Sequence, residues 1–261
     1  MRKEMRQNKV KKMLKEGRPV VGIFMVSGSR AVLEVLAVSG FDFVLFDTQH
    51  FMLNNETIEQ LITAAEAAGV TPFIRVQENH NLNLIDRSLS AGARGVMIPF
   101  CDTKEIAQEA VNAAKYAPIG KRGACNPRAV TYGAKGIDDM VSFYKEENEN
   151  LMVIAQIETA RAVDNLPEIL TVQGIDCFFI GPMDLSHSLG LTGKYDDPTV
   201  QAYINKAFEL VKNAKRPISI LSGNAEQSNA YFQKGYDMVS MSCDMRFLAR
   251  AVMEEMTKIK R

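Results

Sequence analysis

The chain has 261 residues, 46% of them hydrophobic and 24% charged, which are the proportions of a globular protein rather than a disordered or fibrous one. Its 31 Lys and Arg balance 31 Asp and Glu, so no net field draws it to nucleic acid or to an anionic membrane. Four scattered cysteines (Cys101, Cys125, Cys177 and Cys243) form no Cys-x-x-Cys pair and suggest no disulfide framework, and no apolar run approaches the ~18 residues of a membrane span.

The first eighteen residues carry eight Lys and Arg against Glu4 and Glu16. No signal-peptide core follows, because the apolar stretch 19–25 is too short, so the segment reads as a solvated helix covering one end of the fold. The expected compartment is the cytoplasm. Short apolar runs then recur at 20–25, 43–46, 72–76, 95–99, 152–157, 177–180, 218–221 and 238–241. Each is apolar at consecutive positions, as a parallel strand buried on both faces must be. Between them, segments such as 56–68, 104–114, 200–214 and 244–259 repeat apolar residues at three- and four-residue spacing, with Gly69, Gly92 and Gly235 placed to end helices. Eight strands alternating with helices predict a single (β/α)8 TIM barrel spanning 1–261, with an N-terminal helix. A doubly wound sheet would need a Gly-x-Gly-x-x-Gly after its first strand, and Ser27-Gly28-Ser29 is too loose for that. One irregular stretch, 116–136, lies inside the fourth crossover; it is rich in Pro and Gly and carries Lys121, Arg122 and Arg128.

Polar residues at the carboxyl ends of barrel strands face the active site. The second run ends in Asp47-Thr48-Gln49-His50, the third contains Arg75, the fifth ends in Gln156-Ile157-Glu158 and the sixth in Gly181-Pro182-Met183-Asp184. Singly, His50 could be a loop-end hydrogen bonder and the two carboxylates helix N-caps. Arg75, between Ile74 and Val76, is a charge in a buried strand and needs a partner. Two carboxylates without a nearby thiolate favour a hard cation such as Mg2+ or Mn2+, leaving about four octahedral positions for water and substrate. A 2-oxo acid chelating through carboxylate and carbonyl oxygens suits that arrangement, and the cation would stabilise an enolate as a Lewis acid. The 181–184 turn could offer backbone N–H groups to the substrate carboxylate, His50 a base, and Arg75 a fixed positive charge. No Lys ends a predicted strand, which disfavours Schiff-base chemistry.

At these residues the sequence resembles the HpcH/HpaI family of class II, metal-dependent pyruvate aldolases, from about residue 8 to 250. The most specific stretches are Gln156-Ile157-Glu158-Thr159 and Gly181-Pro182-Met183-Asp184-Leu185-Ser186, with Leu189-Gly190, Gly193, Pro198 and Val200 downstream. Pro118, Gly120, Arg122-Gly123 and Arg128-Ala129 also follow the family's pattern. The resemblance implies a barrel of the phosphoenolpyruvate/pyruvate-binding type that reversibly cleaves a hydroxylated 2-oxo acid to pyruvate and an aldehyde. It implies one divalent ion per subunit (Mg2+, Mn2+ or Co2+) on Glu158 and Asp184, and Gln156 in contact with the oxo acid. The main-chain N–H groups of Met183 and Asp184, in the turn opened by Gly181 and Pro182, would hold the substrate carboxylate. His50 would act as base, directly or through a water, and Arg75 would stabilise the transition state. A homo-oligomer is implied, typically a hexamer whose C-terminal helix (here 244–259) packs on a neighbour.

Two positions depart from the family: Gln49 and Ser90 stand where an acidic residue is usual. Each removes a negative charge that would favour the imidazolium of His50, and Asp47 is left to compensate. Two alternatives follow from this reading: a citrate-lyase-like cleavage of CoA thioesters, and a barrel that binds a 2-oxo acid without turning it over. Arg122 and Arg128 would meet an acidic aldehyde tail only if their loop folds back; otherwise they are structural. His80 and His187 are expected at the surface.

Overall fold

The computed structural model describes residues 7–79 and 81–260; the expectations for the first six residues and for His80 lie outside them. Eight parallel strands close into a barrel in sequence order: β1 (Val20–Met25), β2 (Phe43–Asp47), β3 (Thr71–Arg75), β4 (Gly95–Ile98), β5 (Met152–Ile157), β6 (Cys177–Ile180), β7 (Ile218–Ser222) and β8 (Met238–Cys243). The third strand begins and ends one residue earlier than the apolar run predicts. Val76 still donates to the Met97 carbonyl, but past the end of the β2–β3 ladder, which closes on Asp47 and Arg75.

Alternate residues point inward and pack as a continuous column: Val20, Phe24, Phe43, Leu45, Phe73, Met97, Met152, Ile154, Cys177, Phe179 and Met238. Gly22 serves this column by being small, since a Cβ there would sit 2.4 Å from the Phe43 ring. The other strand faces meet the helices in two further apolar clusters, one around β1–β3 and one from β4 round to β8. Burying a side chain of Leu, Ile or Phe size stabilises by about 1.5–3 kcal/mol, so these layers supply the main driving force.

Helix α1 (Lys9–Lys15) lies across the amino-terminal end of the barrel. It is not merely solvated: Val10 is buried in the inner column, and Asn8 donates to the Arg94 carbonyl at 2.9 Å. Helices α2 (Arg30–Val38), α3 (Asn55–Ala68) and α4 (Leu82–Ser90) follow the first three strands. The fourth crossover contains α5 (Lys104–Ala114), a 3-10 turn (Arg128–Gly133) and α6 (Ile137–Asn150). Then come α7 (Ala160–Ile169), a short α8 (Pro182–Ser188), α9 (Pro198–Asn213), α10 (Ala225–Lys234) and α11 (Asp244–Met256). No helix among the described residues is long and apolar enough to cross a membrane.

Candidate active site

The inward alternation that fills the column delivers polar side chains once each strand reaches its carboxyl end. On β2 the series 43, 45, 47 ends at Asp47, and on β3 the series 71, 73, 75 ends at Arg75; the two are register partners. They form a buried fork: Arg75 Nε donates to Asp47 Oδ1 at 2.9 Å and Nη2 to Oδ2 at 2.7 Å. The guanidinium also lies over the Phe24 ring, 4.9 Å from its centroid, so one face and two nitrogens are fixed. The partner that a buried Arg75 requires is therefore Asp47.

That pairing changes the expected role of Asp47. Both its oxygens engage Arg75, and Oδ1 also accepts the Gln49 N–H at 3.0 Å, while His50 is exposed at the start of the following loop. Ser90 is similarly engaged elsewhere, with its hydroxyl against Asp86 and Arg122 in the last turn of α4.

Across the rim, Glu158 is fully buried just beyond β5. Its Oε1 accepts the Phe100 N–H at 2.8 Å, and its Oε2 accepts from Gln156 Nε2. Burial pushes the Glu158 carboxyl up to about 8; the Phe100 N–H opposes this, the neighbouring Asp184 carboxylate adds to it, and Arg75 draws it down. Asp184 sits in the first turn of α8, which Pro182 opens at a position needing no N–H. Gly181 makes the approach of this turn to Glu158 possible, because a Cβ there would lie 2.8 Å from the Glu158 Cβ and 2.9 Å from Oε2.

Two crowded carboxylates, one of them dry, and a buried Gln156 Oε1 without a hydrogen-bond partner fit a small hard cation. Among the described residues, no group of three or more His, Cys, Asp or Glu is placed to hold a metal, so substrate and water would complete the shell. Phe100 escaped the sequence reading: its left-handed backbone (φ 46°) turns the N–H toward Glu158, and a bulky residue gives no advance sign of that conformation. Phe24 was legible only as core.

The remaining candidates lie apart. Arg122 is buried, bonded to Asp86 at 2.9 Å and stacked on Tyr116; Arg128 binds Glu66 at 2.6 Å and the Ala91 carbonyl. Both arginines tie the fourth-crossover loop to α3 and α4, which is the structural reading. His187 is exposed beside Thr192. All four cysteines are free; Cys101 and Cys177 are buried, and burial pushes the Cys101 thiol up to about 12, where it is a poor nucleophile.

Residues 20–251 match the HpcH/HpaI aldolase/citrate lyase family. The chain belongs to that family. It is 35% identical to a 2-dehydro-3,6-dideoxy-6-sulfogluconate aldolase of Pseudomonas putida, over 95% of each chain. It is 34% identical to a 4-hydroxy-2-oxo-heptane-1,7-dioate aldolase of Shigella sonnei, over 94% of this chain and 92% of that one. Among solved structures, the citrate synthase SbnG superposes with a TM-score of 0.84 at 30% identity, covering 95% of both chains. With aldolases of this family related over nearly its whole length, the chain is a lyase of the HpcH/HpaI family.

Proposed function

We propose that this HpcH/HpaI lyase uses a divalent cation to cleave a 4-hydroxy-2-oxo acid reversibly into pyruvate and an aldehyde. The observation that carries the reading is the Glu158–Asp184 carboxylate pair beside the orphaned Gln156 Oε1, facing the Asp47–Arg75 fork across the rim. Glu158 and Asp184 would hold the ion, with Mg2+, Mn2+ and Co2+ all compatible with oxygen ligands. When bound, the ion supplies Lewis-acid stabilisation of the enolate that cleavage generates.

The chain's own residues do the rest. Gln156 reaches the oxo acid, and the N–H groups of Met183 and Asp184 at the α8 terminus receive its carboxylate. His50, exposed to solvent, takes the proton of the 4-hydroxyl directly or through a water. The C3–C4 bond then breaks, its electron pair passes into the enolate, and the aldehyde leaves. Protonation of C3 completes pyruvate. Arg75, locked by Asp47 and Phe24, offers a fixed positive charge to the developing oxyanion at no cost in reorganisation. Assembly into a homo-oligomer through α11 is part of the same reading, because that helix presents Met245, Leu248, Val252, Met253 and Met256 to solvent.

The test follows pyruvate release from 4-hydroxy-2-oxo acids with Mn2+ or Mg2+. Activity should vanish in excess chelator and in Glu158→Gln or Asp184→Asn. Turnover persisting in both variants and without metal overturns the assignment.

A further inference from the structure

The turn that follows β4 grips the segment carrying Glu158 at three points. Phe100 N–H donates to Glu158 Oε1 at 2.8 Å, Cys101 N–H to the Gln156 carbonyl at 3.1 Å, and Thr159 Oγ1 to Asp102 Oδ1 at 2.7 Å. With Oε1 held in this way, Oε2 is left towards Gly181, where an added Cβ would lie 2.9 Å from it. Residues 100–102 therefore set which oxygen of Glu158 faces the turn that carries Asp184.

This grip is itself held from two other elements. A left-handed φ of 46° at a phenylalanine is a conformation that its surroundings must impose. The Phe100 carbonyl accepts the Asp102 N–H at 2.8 Å and, from the loop after β3, Asn79 Nδ2 at 2.7 Å. Asp102 is tied to the start of α7. Its Oδ1 binds Thr159, the residue that caps this helix, and its carbonyl accepts Asn165 Nδ2 at 2.9 Å. We propose that Asn79 and Asp102 are positioning residues for the cation site: by locking the reversed backbone at Phe100 they hold the Glu158 carboxylate in its coordinating orientation. This rests on the Glu158–Asp184 cation reading above and adds to it two residues that act through the Phe100 turn.

Mn2+ binding to the whole chain, read from the electron paramagnetic resonance signal of the free ion, tests this without turnover. Wild type should bind one Mn2+ per subunit, and Glu158→Gln should not. Outer groups that orient a ligand carboxylate change metal affinity by about 10- to 100-fold when removed, and Asn79→Ala and Asp102→Ala should each raise the Mn2+ dissociation constant by that factor. Asp102→Asn keeps an acceptor for Thr159 and should restore the wild-type constant. Asn79 is partly exposed, so its variant keeps the test open if Asp102→Ala does not fold. Thr103→Ala is the control for general loosening: it removes the cap of α5 one residue further on, and should lower the melting temperature without moving the Mn2+ affinity. Wild-type affinity in either alanine variant, or an equal loss in Thr103→Ala, overturns the proposal and leaves the cation reading standing. A wild type that binds no Mn2+, or a Glu158→Gln variant that binds it normally, discards that reading and the proposal with it.

Discussion

In the proposed mechanism, Asp47 and Arg75 would couple stability to chemistry through one buried pair. Asp47 is 1% exposed, and both of its oxygens are bound by one guanidinium, so neutralising it strands a positive charge in the barrel mouth. Asp47→Asn should cost about 3–5 kcal/mol, read from urea unfolding, because breaking a buried pair from one side leaves its partner uncompensated. Activity should fall as well, by about 10²-fold if Arg75 loses its aim at the oxyanion. A change confined to activity, with the unfolding midpoint unmoved, would show that the fork is not structural. Both residues were legible in the sequence, since counting alternate positions along each apolar run leads inward to Asp47 and to Arg75. Their partnership was not legible, because strand register is set by the closed ladder and not by local composition. The turn at Phe100 was hidden for a similar reason: a left-handed φ at a bulky residue is imposed by the contacts around it.

The elements divide by end. At the carboxyl end they present Glu158, Asp184, Arg75 and His50; at the amino end they are riveted by charge. Lys11 on α1 pairs with Asp176 at 2.8 Å and donates to the Leu151 carbonyl, where Lys115, from the end of α5, also donates. Lys115 donates to the Asn148 carbonyl too, and Arg94 pairs with Glu147 nearby at 3.2 Å. Burial holds the Lys115 ammonium down at about 8, against the pull of Asp176 and with the help of Lys11. The unfolded chain, with an ordinary lysine near 10.4, binds more protons than the folded one between those two values. Lys115 therefore contributes stability that grows as pH rises from about 8 towards 10, by at most about 3 kcal/mol. The measurement is the difference in unfolding free energy between wild type and Lys115→Met across pH 7 to about 10, in which the buried thiols and phenols cancel. A difference that stays flat would mean the ammonium is not dehydrated. The sequence showed a basic N-terminal segment and a helix at one end; that this helix plugs the barrel through Val10 depended on the length of α1 and the open end beneath it.

At the scale of the molecule, α11, the helix that follows β8, departs from barrel symmetry. A barrel helix ordinarily buries a stripe against the strands on either side of it. In α11 the first residue, Asp244, is buried, accepting the N–H groups of Val26 and Ser27 and so tying β8 to the loop after β1. Beyond Phe247, which leans on the β1–β3 cluster, the apolar residues Leu248, Val252, Met253 and Met256 face outward. Met253 is 69% exposed, the reverse of what an apolar stripe with 3.6-residue spacing should do in an isolated subunit. The periodicity of 244–259 predicts a helix that the structure ends at Met256, three residues sooner, but a hydrophobic stripe records that a face is buried and not whose surface buries it. A second copy of the chain is the occupant that the family resemblance implies. Leu248→Glu combined with Met253→Glu places two charges on that stripe and nothing in the barrel, so the fold should survive while the assembly does not. Sedimentation equilibrium should give several subunits for the wild type and one for the double variant, with the circular dichroism spectrum unchanged. A wild type that sediments as a single subunit at micromolar concentration would mean that α11 meets some other surface or none.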